Sequence, residues 1–385
     1  MRIAIMTDSF YPTTDGVAVA VRVTKDALEA MGHEVFVLAP DPGDEKLRLP
    51  DVRYFPSVKF RKYEGYYLPI LPSNQTELIR EIDPDIIHIR GVAIMALKAL
   101  FASHNTHVPT VLTYDTVVTE VIGMYSPVKL PKETLARLAT IYLRKMLKRP
   151  NAIAVPTPST GRELEAMGVK PRLLEVVPTG IDTDRFAFTQ EGRDEIRARY
   201  GFGDSRVILF VGRLSFEKNV DLLIRSLPKM DADVRLLIVG DGPARESLEQ
   251  AVDECGVRDR VTFTGYLFSD DLVKHYSAAD AFVSPSVFET QGFTVQEAMS
   301  AGLVAACGNG RAFTDFIRDG ENGYLFELDT DSCAAAAMKA LSAPKEVRDA
   351  SMETALSYGI RPCTERLVAL YEKVLENKRR ENEYS

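Results

Sequence analysis

Glu289 and Glu297 stand with seven residues between them in SPSVFETQGFTVQEAMSAG, where an apolar run ends and a helical pattern begins. A glutamate in such a loop can accept hydrogen bonds from sugar hydroxyls. Gly292 lies between the two, and the amides of Gly292, Phe293 and Thr294 would point out of a helix N-terminus at a phosphate. Glu297, one turn into that helix, can accept both hydroxyls of a ribose, as the acidic residue of dinucleotide sites does. The competing reading is a capped helix with two surface glutamates. The apolar neighbours on both sides weigh against it, because a carboxylate among buried strands usually serves a purpose.

A second group follows another apolar run, in VGRLSFEKN. Gly212 allows a tight exit from the strand, and Arg213 and Lys218 stand five residues apart. An arginine fork with a lysine point charge can neutralise a departing diphosphate, with Glu217 orienting the cations or the loop. A solvated charged turn would look the same. Asp8 begins a third connection, DSFYPTTDGV, in which Gly16 would let a phosphate approach a helix start; a plain strand-to-helix turn also accounts for it. Three smaller features suit the same ligand. GDGP at 240–243 permits a close backbone turn, and Tyr266 and Leu267 after RVTFTG could hold a nucleobase. Residues 178–186 read as a turn with Asp182 as its cap.

The elements that must carry these groups alternate. RIAIMTD, EVFVLAP, DIIHIR, TVLTYD and AIAVPTP read as buried strands with helical patterns between several of them. The series restarts with VILFVG, RLLIVG, RVTFTG, AFVSPS and LVAACG. Such alternation predicts an α/β fold of two doubly wound parallel sheets. The predicted domains are residues 1–188 and 189–363, two Rossmann-like units facing across a cleft lined by strand carboxyl ends. At 385 residues two domains are expected on length alone.

Composition excludes several classes. A net charge of -8 argues against general nucleic-acid binding. Four scattered cysteines suggest neither disulfides nor zinc. No apolar run reaches the roughly 18–20 residues of a membrane span, and MRIAIMTDSF enters a strand without signal-peptide features, so a cytoplasmic location is expected. Asp-x-Asp triplets at 83–85, 182–184, 231–233 and 329–331 are the kind that arise by chance among 55 acids, and no metal is expected. No G-x-G-x-x-G follows the first strand, which disfavours a nicotinamide oxidoreductase.

The segments VVPTGIDTDRF, GRLSFEKN, GDGP and PSVFETQGFTVQEAMSAG, in this order and spacing, resemble glycosyltransferase family 4, the retaining group with the GT-B fold, over nearly the whole chain. The resemblance implies a hexosyltransferase using a UDP-sugar or GDP-mannose, without cofactor. Arg213 and Lys218 would bind the donor diphosphate, and Gly16 would add a phosphate contact. Glu289 would contact the sugar, Gly292–Thr294 phosphate and sugar, and Glu297 the ribose. A last helix, residues 364–385, would return to the first domain. The diphosphate would leave on the face that the acceptor attacks and take up its proton, which retains configuration and needs no protein nucleophile. One departure stands out. The family's Thr-Tyr-His-Thr-like segment is TYDT here, with Asp115 in the histidine's place. That carboxylate could donate a hydrogen bond when protonated, act as base toward the acceptor, or serve only the loop. It also motivates a competing expectation, a nucleotide-sugar-binding protein that lacks transfer. His88 and Arg90 are polar cleft candidates or local structural residues.

Family resemblance favours lipid, polyprenol-linked or other glycoconjugate acceptors. Residues 129–149 (KLPKETLARLATIYLRKMLKR) are basic and amphipathic, suiting peripheral contact with the inner, anionic face of a membrane or a helix packed inward. The aromatic stretch 54–67 could form an acceptor loop.

Overall fold

The computed structural model describes residues 1–13, 16–60, 66–70, 74–115 and 131–383. Thr14 and Asp15 of the first phosphate candidate, 61–65 of the aromatic stretch, Thr116, and 129–130 of the basic segment lie outside the described residues. The chain forms two compact units, Met1–Gly180 with Ile360–Ser385, and Ile181–Gly359. The sequence placed these divisions at 188/189 and 363/364. The first lies earlier because Phe186 is buried in the second unit's core and Ile181 bridges to Gly359.

In the first unit β1 (Arg2–Thr7), β2 (Glu34–Pro40), β3 (Val52–Phe55), β4 (Ser57–Lys59), β5 (Tyr67–Pro69), β6 (Ile86–Arg90), β7 (Thr110–Thr113), β8 (Ala152–Val155) and β9 (Leu174–Val176) follow in order. Seven of them make a parallel sheet in the order β3-β2-β1-β6-β7-β8-β9, while β4 and β5 pair antiparallel. Apolar residues such as Ile3, Ala4, Ile5 and Met6 run unbroken along β1 because helices cover both faces of a parallel sheet. The helix Ile360–Glu383 returns to this unit, burying Leu367, Leu370, Tyr371 and Val374 against β1 and β2.

The second unit holds β10 (Arg206–Val211), β11 (Val234–Val239), β12 (Val261–Gly265), β13 (Ala281–Ser284), β14 (Val304–Gly308) and β15 (Tyr324–Phe326). They form a parallel sheet in the order β12-β11-β10-β13-β14-β15. Each sheet reverses its winding once, between β1 and β6 and between β10 and β13. Such reversals open a crevice beyond the strands' carboxyl ends, where ligands of open α/β sheets bind. No helix among the described residues is long and apolar enough to cross a membrane.

Candidate functional site

The crevice of the second unit gathers the strongest sequence candidates. Gly212 leaves β10, and Arg213, Ser215 and Lys218 follow it; Pro285, Glu289 and Gly292 follow β13. Lys218 Nζ donates to Glu289 Oε1 at 2.6 Å across 71 residues of sequence, with both side chains about one-fifth exposed. Asn219 Nδ2 reaches the Pro285 carbonyl at 3.2 Å and ties the two loops together. Glu217 accepts from the Ser215 hydroxyl at 2.6 Å, so it orients its own loop rather than a cation. Arg213 is exposed, and its guanidinium makes no hydrogen bond or ion pair among the described residues.

The loop after β11 supports this arrangement from below. A Cβ on Gly240 would stand 1.9 Å from the Gly212 carbonyl oxygen, so only glycine lets the two loops pass this closely. Leu214 N then donates to Asp241 O at 2.9 Å, and Ala244 N to Leu214 O at 2.9 Å. The GDGP segment is a brace for the cationic loop.

Gly292 caps the helix Phe293–Ser300 at φ 82, a left-handed conformation in which a Cβ would strike the Phe313 ring at 2.8 Å. Its carbonyl accepts from Val295 N and Gln296 N, and the first-turn amides of Phe293 and Thr294 have no intrahelical acceptor. Glu297 lies one turn on and accepts from the Tyr276 hydroxyl at 2.6 Å, which leaves Oε1 for a further donor. Burial raises its carboxyl above the usual range, against the Tyr276 hydrogen bond and the charge of Arg185. Leu267 packs partly into the core. Tyr266 is 55% exposed and stacks on Phe268, 72% exposed, at 6.4 Å between centroids. Phe268, Tyr276 and Asn219 were missed in the sequence; the aromatic spacing of GYLF was the one signal that could have found Phe268.

The first unit's crevice is built differently. Gly16 is exposed at the start of the helix Gly16–Ala30, and among the described residues nothing lies within 4 Å of where a Cβ would stand. Asp8 serves the helix that follows β6. Its carboxylate accepts from Ala93 N at 2.9 Å and Met95 N at 2.8 Å, capping the helix Ile94–Thr106. Burial pushes Asp8 up to about 6 although both amides pull it down. His88 is fully buried between Thr113 Oγ1 (2.7 Å) and the Tyr371 hydroxyl (2.6 Å). Burial foremost, then the charge of Arg90, holds its imidazole well below the usual range, so it is a neutral structural residue. Asp115 pairs with Arg90 at 3.0 Å.

The acidic triplets serve local structure. Asp83 ends the helix Gln75–Ile82 and Asp182 accepts from Arg185 N. Asp231 and Asp233 both pair with Arg206, and Asp329 caps the helix Thr330–Leu341. In the basic segment, the helix Lys132–Met146 buries Leu135, Leu143 and Met146 and leaves Arg137, Leu138, Ile141 and Lys145 exposed. The inward-packed reading of that segment holds for the buried face.

A profile described as Glycosyltransferase Family 4 matches residues 14–185, and one described as Glycosyl transferases group 1 matches residues 192–355. The chain is 33% identical over 335 residues to a GDP-mannose-dependent alpha-mannosyltransferase of Mycobacterium tuberculosis, covering 85% of this chain and 84% of the relative. It is 27% identical over 372 residues to the alpha-monoglucosyldiacylglycerol synthase of Streptococcus pneumoniae, covering 92% and 82%. Sucrose-phosphate synthase from Thermosynechococcus elongatus superposes with a TM-score of 0.77 at 20% identity over 98% of this chain and 99% of that one, a likeness of fold.

Proposed function

The chain belongs to glycosyltransferase family 4 and is a hexosyltransferase, and from that premise we propose that it moves a hexose, with retention, from a UDP-sugar or GDP-mannose to a hydroxyl of a lipid, polyprenol-linked or other glycoconjugate acceptor. The observation that carries this reading is the joining of Lys218 to Glu289, four residues before the helix start at Phe293, with Arg213 exposed on the loop that carries Lys218. In this reading Arg213, Lys218 and the amides of Phe293 and Thr294 take the diphosphate, in place of a metal. Glu289 turns toward the sugar hydroxyls, Glu297 toward the ribose, and Tyr266 with Leu267 toward the base; Gly212 and Gly292 let the backbone come close. Gly16 contributes from the first unit, and Asp115 faces the acceptor. The bond from the anomeric carbon to the diphosphate oxygen breaks, the acceptor oxygen bonds to that carbon on the same face, and its proton passes to the departing diphosphate.

Support for a lipid acceptor comes from the relatives' names and from the outward face of Lys132–Met146, where cations alternate with Leu138 and Ile141. That face would rest on anionic lipid at the cytoplasmic side. The competing expectation of a binding protein without transfer is not favoured, since the relatives described above carry the names of transferases and synthases.

The test is a panel of UDP-glucose, UDP-galactose, UDP-glucuronate and GDP-mannose, read first by thermal shift and then by transfer to lipid extract in anionic and in neutral vesicles, with and without chelator. Stabilisation by one donor, transfer that is faster on anionic vesicles and unaffected by chelator are expected. Binding without turnover on any acceptor would contradict the proposal.

A further inference from the structure

We infer that Arg90 is the positioning residue of Asp115, the group that fixes where this carboxylate stands on the acceptor side; this rests on the proposed role of Asp115. Arg90 ends β6, and its backbone is in register with Thr113 of β7, two residues before Asp115. The arginine is 3% exposed and Asp115 is 16% exposed, so the cation is enclosed while the carboxylate keeps one side toward solvent. Nη2 of Arg90 stands 3.0 Å from Asp115 Oδ2 as an ion pair and donates to Thr179 Oγ1 at 3.4 Å. Thr179 lies two residues before the second unit begins at Ile181, so one nitrogen ties the end of β7 to the crossover segment. Nε of Arg90 has no hydrogen-bond partner among the described residues. The neighbouring His88 is held neutral between Thr113 and Tyr371 and offers no charge. Asp115 is therefore the one ion-pair partner of this buried guanidinium among the described residues.

A guanidinium is planar and always charged, and its attachment to a rigid strand gives it one place to be. A lysine there would keep the charge and lose the fork. The carboxylate it holds gains a fixed direction, which is what a group acting on an acceptor hydroxyl needs, since a misplacement of about 1 Å can cost on the order of 10²-fold in rate.

The test compares Asp115→Asn, Arg90→Met, Arg90→Lys and the double variant Arg90→Met/Asp115→Asn, with kcat and both KM values measured using whichever of UDP-glucose or GDP-mannose gives transfer. Calorimetric binding of UDP or GDP serves as the check on folding. Asp115→Asn is expected to lower kcat about 10²-fold. Arg90→Met should lower it about 10- to 10²-fold with the donor KM within about twofold, Arg90→Lys should recover part of the loss, and the double variant should be no slower than the slower single one. A wild-type kcat in Arg90→Met beside a slow Asp115→Asn would overturn the positioning role and leave Asp115 standing. A wild-type kcat in Asp115→Asn would sink the reading of Asp115 itself. Should Arg90→Met fail to bind nucleotide, Arg90→Lys decides: full activity there overturns the inference.

Discussion

The two crevices occupy the same topological place in their sheets and hold their charges in opposite ways. Beyond β10 and β13 the charged groups stand at the surface: Arg213 uncommitted, Lys218 and Glu289 paired but partly exposed, amides open at Phe293 and Thr294. Beyond β1 and β6 they are turned inward: Asp8 spent on two amides, Arg90 on Asp115 and Thr179, His88 on Thr113 and Tyr371. If the second crevice takes the donor diphosphate, as proposed, its donors are available for it, whereas most polar groups of the first crevice are engaged within their own unit. Topology supplies the place, and side-chain bookkeeping assigns the task.

The largest effect that separates the two concerns rate. Lys218→Ala or Arg213→Ala should each lower turnover on the order of 10²–10³-fold, the usual loss for one leaving-group contact, with thermal stability nearly unchanged for the exposed Arg213. Rates near wild type in both variants would dissolve the contrast. The converse holds in the first unit, where the effect should fall on stability. Asp8→Ala removes a cap and should cost about 1–2 kcal/mol, read by denaturant unfolding, with nucleotide binding by the second unit intact.

The smallest effect is a pH dependence. Asp8 stands at about 6 in the fold against an ordinary 3.8. Between those values the native state holds a proton that the unfolded chain has released, so this group's contribution favours the fold as pH falls through about 6 and is lost as pH rises through it. Comparing stability at pH 4.5 and 7.5, wild type should gain more at the lower pH than Asp8→Asn does. An identical difference in the two proteins would show that Asp8 titrates normally.

Much of this architecture was legible in the sequence, because a parallel strand buried on both faces writes itself as an unbroken apolar run, and the loops that follow carry their glycines and charges in fixed order. Arg213, Lys218, Glu289 and Gly292 could be named from that pattern. Their partners could not. Lys218 finds Glu289 71 residues away, Asp8 caps a helix 85 residues downstream, and Tyr371 meets His88 across 283 residues. Such pairings depend on strand order, which periodicity does not encode. Arg90 shows this most plainly: in DIIHIR it reads as a polar cleft candidate or a local structural residue, and its pairing with Asp115 appears only when β6 lies beside β7. The division between units was misplaced for a related reason, since nothing local in FAFTQEGR reveals that Phe186 already belongs to the second core.

A crystal structure with UDP or GDP bound tests the central claim most directly. The β-phosphate should lie within hydrogen-bond distance of Arg213, Lys218 and the Phe293 or Thr294 amide, with the Lys218–Glu289 pair separated. A nucleotide lodged elsewhere, with that ion pair undisturbed, would contradict the account.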